Sequence, residues 1–229
     1  MQFTHSDLQD QLVRGLSHRM NNILTLFHGY VGLLMENKDL DKATRDGLGK
    51  IQLGASQASE LMDRTQALVR PSASVLRAID LAEYLRFIRP AFDQFRGPRT
   101  TINMQLDDDV PRVQGDASRI KTTLIELVKN ACEATFDGGT VNIELRSEAV
   151  AGQRQKWAVV SITDDGPGIP PEISEKIFSP FYTTKKKQNA AGLGLTLAAS
   201  FAQLHQGSIK ISSEPKKTVV DLRLPAMTT

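Results

Sequence analysis

A helical hairpin followed by an α/β sandwich is the fold that this 229-residue chain predicts, and three observations carry it. Residues 1–70 contain no proline, and their apolar residues recur only at helical spacing. From residue 79 onward, TVNIELRS, WAVVSITD, SIKIS and TVVDLRL alternate apolar and polar residues like half-buried strands. Helix-compatible stretches lie between those strands, which implies one sheet with helices packed on a face.

In the first segment Leu8, Leu12, Leu16, Met20, Ile23, Phe27, Val31 and Leu34 make one helical stripe. Ser6 and Gln9 can close a capping box at its start. ENKDLDKAT breaks the pattern, and a second stripe follows through Leu48, Ile51, Ala55, Ala58, Met62 and Val69. It stops before Pro71, whose ring disfavours a helical Arg70. Two antiparallel helices cannot bury both stripes, so residues 1–70 are expected to pair with a second copy as a homodimeric four-helix bundle.

PSAS opens a linker over 71–78, and residues 79–229 form the sandwich. LAEYLRFIRPAF predicts a helix interrupted at Pro90, and ASRIKTTLIELVKNACEATF a longer one capped by Asp116. GLGLTLAASFAQLHQG predicts a helix with glycines at its mouth and Gly207 at its end.

Composition removes several function classes. Hydrophobic content of 40% and charged content of 24% are globular values. No apolar run approaches the roughly 18 residues of a membrane span, and MQFTHSDLQD has no signal-peptide core, so a cytoplasmic location is expected. Cys132, the single cysteine, excludes an intramolecular disulfide and a cysteine zinc cluster. A net charge of +2 gives no argument for nucleic acid.

Four local signals fall in order along residues 126–197. In ELVKNACEA, Glu126 and Asn130 at i, i+4 share a direction and offer the hard oxygen ligands that Mg²⁺ takes. In DDGPGIP, directly after a strand, Gly166 and Gly168 permit a sharp turn, and Asp164 can accept a hydrogen bond from an amine such as adenine's. IFSPFYTTKK brackets Pro180 with Phe178 and Phe181 and ends in Thr183, Thr184 and Lys185. AAGLGLTLA brings Gly192 and Gly194 into a helix mouth, where free N–H groups favour phosphate. Taken singly, a solvated helix face, a capped turn or an anchored loop explains each signal equally well.

Their joint order resembles the N, G1, F and G2 boxes of sensor histidine kinases, over about residues 79–225. The resemblance implies the ATP-binding fold shared with type II topoisomerases, a heat-shock chaperone and mismatch-repair ATPases, with ATP and Mg²⁺ as cofactors. It implies that Asn130 holds Mg²⁺ with Glu126 assisting through water, and that Asp164 reads the adenine amine. It also implies that Gly166, Gly168, Gly192 and Gly194 bound an ATP lid, with Lys129 and Lys185 near phosphate. Ala190 and Ala191 stand where the family carries further glycines.

LSHRMNN, residues 16–22, then gains a meaning. His18 lies roughly 200° from both Leu16 and Met20, hence toward solvent, with Arg14, Asn22, Thr25 and Gly29 on its face. His5, His28 and His205 need nothing beyond surface or packing roles. The resemblance makes His18 the phosphoacceptor of a dimerisation and phosphotransfer hairpin, and a response-regulator receiver domain the partner. Asn22 matches the position that places water for dephosphorylating that partner. Arg19 departs from the Glu or Asp usual after the histidine, and a guanidinium donates only and cannot act as a base. The expected activity is protein-histidine kinase. The alternatives are a kinase-deficient relative acting as regulator phosphatase, and a non-catalytic ATP-binding docking module.

Overall fold

The computed structural model describes residues 5–69, 76–149, 156–184 and 191–227, apart from the side chains of 5–12, 14 and 67–69. The chain divides into two compact units, Met1–Ser72 and Ala73–Thr229.

The first unit is a pair of helices, α1 (His5–Met35) and α2 (Lys42–Val69). Asp41 starts α2 by accepting the Thr44 N–H at 2.7 Å and the Thr44 hydroxyl at 3.0 Å. Those hydrogen bonds hold the Asp41 carboxyl below its ordinary value. Arg45 closes the connection by donating to the carbonyls of Met35 at 3.2 Å and Asn37 at 3.0 Å. The Ser6–Gln9 capping box lies outside the described side chains.

The apolar stripes are not buried as a whole. Ser17, Leu24 and Val31 of α1 and Ala55 of α2 are buried, whereas Leu16 is 60% and Phe27 51% exposed, and Ile23, Leu34 and Ile51 are exposed as well. One neighbouring helix covers a seam of positions about seven residues apart, and the stripe read from the sequence is wider than that seam.

The second unit is built on a five-stranded sheet of order β2-β4-β5-β7-β6. The strands are β2 (Thr100–Leu106), β4 (Gly139–Ala149), β5 (Lys156–Asp164), β6 (Ser208–Glu214) and β7 (Lys217–Pro225). β2 runs parallel to β4, and the remaining pairs are antiparallel. A separate ribbon joins β1 (Arg77–Ile79) to β3 (Val113–Gly115). Arg77 and Ala78, assigned to the linker from sequence, therefore belong to a strand. β6 and β7 are joined by a tight turn at Pro215 and Lys216, where Lys216 takes φ 64 in the place glycine usually fills.

The core lies on one face of the sheet. Val141, Ile143 and Leu145 of β4, Val160 and Ile162 of β5, and Leu222 and Leu224 of β7 meet the helices there. α3 (Leu81–Phe92) contributes Leu85, Ile88 and Phe92, and α4 (Ala117–Ala134) contributes Ile120, Leu124, Leu127, Val128 and Ala131. α5 (Gly194–Leu204) adds Ala198 and Phe201. The expected break at Pro90 does not occur, because α3 continues to Phe92 and tightens into a 3₁₀ turn only at Asp93–Phe95. Proline removes one hydrogen bond near a helix end, and burying Ile88 and Phe92 on either side outweighs that loss. Asp116 caps α4 as expected, accepting the N–H groups of Ser118 at 2.9 Å and Arg119 at 3.2 Å.

Two substitutions calibrate this unit. Phe92→Ala is expected to lower unfolding free energy by about 3–5 kcal/mol, the cost of a large core cavity. Asp116→Ala is expected to cost about 1 kcal/mol, the worth of one helix cap, with both read by urea denaturation.

Candidate functional site

The polar residues of the second unit gather around the mouth of α5. Glu126 on α4 is only 8% exposed. A Cβ added to Gly194, the first residue of α5, would lie 2.7 Å from Glu126 Oε2 and 3.6 Å from Asn130 Nδ2. The α4 pair therefore sits directly against the helix start, where the N-cap residue is Leu193, whose side chain makes no capping hydrogen bond. A carboxylate, an amide and a helix N-terminus in one place suit a cation together with the anion it accompanies. Among the described residues no group of three or more His, Cys, Asp or Glu can hold a metal by itself. A cation at this place would take most of its ligands from water and from the anion it accompanies. Lys129 directs its ammonium over the Phe95 ring, 5.9 Å from the centroid. Cys132 is buried, and burial pushes its thiol up to about 11, so it serves packing and not nucleophilic chemistry.

The turn after β5 is held from several sides. Asp164 is 5% exposed and accepts the Gly166 N–H at 3.0 Å. A Cβ at Gly166 would meet Asp164 Oδ1 at 2.7 Å and the Ala134 Cβ at 2.8 Å. Gly168 has φ +83, and a Cβ there would lie 2.5 Å from the Glu214 carbonyl oxygen. Both glycines are demanded by close approach, as the motif suggested.

Two neighbours escaped the sequence reading. Thr218 is 6% exposed and pairs with Asp164 across β5 and β7, while Ser213 pairs with Thr218 across β6 and β7. The signal was present: each is a polar residue in the apolar register of its strand, with Val220 and Ile211 two positions away.

The aromatic loop packs onto the glycines before α5. Gly192 has φ +66, and a Cβ there would meet the Phe181 and Tyr182 backbone at 2.6–2.9 Å. Phe181 itself adopts φ 65 and is exposed, and Thr196 Oγ1 donates to the Phe178 carbonyl at 3.0 Å. The structure brings Glu126, Asn130, Gly194 and Gly192 to one end of α5 and Asp164, Gly166 and Gly168 to the end of β5. Lys185 lies outside the described residues.

In the first unit His18, Arg19 and Asn22 are all exposed. The Asn22 side-chain amide lies 3.4 Å from His18 Nδ1. Thr25 donates to the Asn21 carbonyl at 2.8 Å, and Asn21 donates to Asp63 on α2 at 3.2 Å. Thr25 and Gly29 share the open face as expected, whereas the Arg14 side chain lies outside the described residues. No helix among the described residues is long and apolar enough to cross a membrane.

Comparison with known proteins places this geometry. The family model described as histidine kinase-, DNA gyrase B-, and HSP90-like ATPase matches residues 115–228. The sensor kinase CckA of Brucella abortus is 26% identical over 227 residues, covering 95% of this chain and 24% of its own length. The sensory histidine kinase/phosphatase NtrB of Vibrio alginolyticus is 29% identical, covering 94% of this chain and 62% of its own. The chain thus spans between about a quarter and three fifths of these relatives. The solved catalytic domain of histidine kinase ThkA is 31% identical over 67% of this chain and 99% of that chain, with a TM-score of 0.52. ThkA in complex with response regulator protein TrrA matches 95% of this chain and 61% of that chain at 25% identity, with a TM-score of 0.61.

Glycine substitutions separate close approach from mere helix propensity. Gly168→Ala is expected to destabilise the second unit by about 1–3 kcal/mol, from left-handed backbone and collision with Glu214. Gly47→Ala, where a Cβ meets nothing within 4 Å, is expected to stabilise α2 by about 0.5–1 kcal/mol. Chemical denaturation of the two variants measures both.

Proposed function

We infer that this chain, which belongs to the histidine kinase-, DNA gyrase B- and HSP90-like ATPase family as a sensor histidine kinase catalytic core, is a cytoplasmic autokinase. In this reading it binds ATP with Mg²⁺, moves the γ-phosphoryl group to His18 and passes it to an aspartate of a response-regulator receiver domain. The observation that carries the reading is the ordered polar site at the α5 mouth, together with an exposed His18 whose ring meets Asn22.

Each residue then has a task. Asp164 accepts a hydrogen bond from the adenine amine while its other duty is to hold the Gly166 turn. Asn130 would hold Mg²⁺ with Glu126 assisting through water, and the ion would offset charge on the transferring group. Gly192 and Gly194 let backbone N–H groups approach phosphate, with Lys129 and Lys185 as further cations. At the acceptor, a neutral imidazole has one N–H and one lone pair, and Asn22 offers either an amide N–H₂ or its oxygen to Nδ1. With the oxygen turned to Nδ1–H, the lone pair stands on Nε2. Nε2 forms the bond to Pγ as the bond to the bridging oxygen breaks, ADP leaves, and the Nδ1 proton passes to water. Water returns a proton to Nδ1 as a receiver carboxylate attacks phosphorus; the N–P bond breaks with its electron pair going to Nε2, and the neutral imidazole is restored.

The exposed Leu16, Ile23, Phe27, Tyr30 and Leu34 of α1 support pairing of residues 1–70 with a second copy as a four-helix bundle. A second reading, that the protein mainly strips phosphate from its regulator, draws on Asn22 beside His18 and on Arg19, which cannot take a proton.

With γ-labelled ATP and Mg²⁺, the wild type is expected to gain acid-labile, base-stable label that His18→Ala lacks. Asn130→Ala and chelation of Mg²⁺ are each expected to lower labelling by about 100-fold or more. Absence of label on a wild type that still binds ATP rules out the autokinase. Arg19→Glu is expected to raise the labelling rate by about 10-fold or more by adding a proton acceptor. If instead Asn22→Ala slows decay of regulator phosphate and Arg19→Glu leaves labelling unchanged, the phosphatase reading stands.

A further inference from the structure

Three polar side chains form a row across the sheet where its face is otherwise apolar. β5 pairs Asp164 with Thr218 of β7, and β7 pairs Thr218 with Ser213 of β6. Two and four residues away, the same face carries Ile162 and Val160, Val220 and Leu222, and Ile211 and Ile209. Asp164 and Thr218 are buried and Ser213 is half-buried, and polar groups in such a row persist only when hydrogen bonds compensate them.

Proton counting gives this row a direction. Ser213 Oγ lies 2.7 Å from the Ile169 N–H, 3.2 Å from the Lys217 carbonyl and 3.2 Å from Thr218 Oγ1. The amide can only donate and the carbonyl can only accept, so the single Ser213 proton goes to Lys217. Both lone pairs of Ser213 then accept, one from Ile169 and the other from the Thr218 hydroxyl. With its proton committed to Ser213, Thr218 presents only lone pairs on the side of its cross-strand neighbour Asp164. An ionised carboxylate is also an acceptor only.

We propose that Ser213 is a positioning residue for base selection: it anchors the turn after β5 and turns Thr218 into an acceptor beside Asp164. The inference rests on the ATP-binding reading above. Two adjacent acceptors suit the exocyclic amine of adenine and oppose the carbonyl oxygen that guanine carries at the same position. Removing the Ser213 hydroxyl frees the Thr218 proton, so the same pocket can then offer a donor to guanine.

Equilibrium titration of the full chain with Mg-ATP and Mg-GTP tests this, with thermal melting to confirm folded variants. Ser213→Ala is expected to raise the Kd for ATP by about 10-fold and that for GTP by less than about threefold, narrowing the preference. Ser213→Thr keeps the hydroxyl and is expected to stay within about threefold of the wild type for ATP. An equal loss for both nucleotides, or no change in either, overturns the positioning role while leaving ATP binding intact. A wild type that binds no ATP overturns the nucleotide reading and this inference with it.

Discussion

One helix has to serve the core and the site at once. α4 lays Ile120, Leu124, Leu127, Val128 and Ala131 onto the sheet, and carries Glu126 and Asn130 on its far side. That far side is not solvated, because the start of α5 covers Glu126. Burying a carboxylate is costly unless polar groups meet it. A helix N-terminus with free N–H groups is a favourable neighbour for that charge, and Gly194 is the residue that lets it come close. On the proposed reading, the α4–α5 contact is where a cation and a phosphate would sit. The turn after β5 is locked to the same helix through Gly166 against Ala134.

Much of this was legible because motif residues combine local geometry with chemistry. Gly166, Gly168, Gly192 and Gly194 each face a close neighbour, which is why glycine marks those positions in the sequence. Asp116 was legible as a cap for the same local reason. What escaped depends on partners distant in sequence. β2 reads as an ordinary polar stretch until its parallel pairing with β4 is known, since parallel partners share no turn signal. Pro90 reads as a breaker because the burial of Ile88 and Phe92 that overrides it is tertiary. Thr218 and Ser213 have meaning only as neighbours of Asp164 across three strands.

The hairpin tells the opposite story, in which a correct pattern leads to an incomplete picture of burial. Helical spacing identifies α1 and α2, yet the seam between them holds Ser17, Leu24 and Val31, and leaves Leu16, Ile23, Phe27 and Leu34 outside. Near His18 the seam includes polar contacts: Ser17 is buried, and Asn21 reaches across to Asp63. Farther along, Leu24 and Val31 of α1 and Ala55 of α2 make the apolar part of the contact. The exposed apolar flank is the surface on which the proposed second copy would pack.

Arg19 is the residue at which the family pattern and this chain part, and its effect depends on what a carboxylate does there. A neutral imidazole already has a lone pair, so bond formation to phosphorus does not require prior removal of a proton. The carboxylate chiefly selects the tautomer with its proton on Nδ1 and takes up that proton as positive charge develops on the ring. Asn22, one turn along the helix with its Nδ2 3.4 Å from Nδ1, would perform the first task only with its side-chain amide turned to present the oxygen. It cannot perform the second, which falls to water. If His18 accepts a phosphoryl group, Arg19 would add a cation near that negative charge, an attraction weakened by its exposure to solvent. On the proposed reading, proton uptake would be lost while tautomer selection could pass to Asn22, and the balance between those two effects would set how fast His18 is charged.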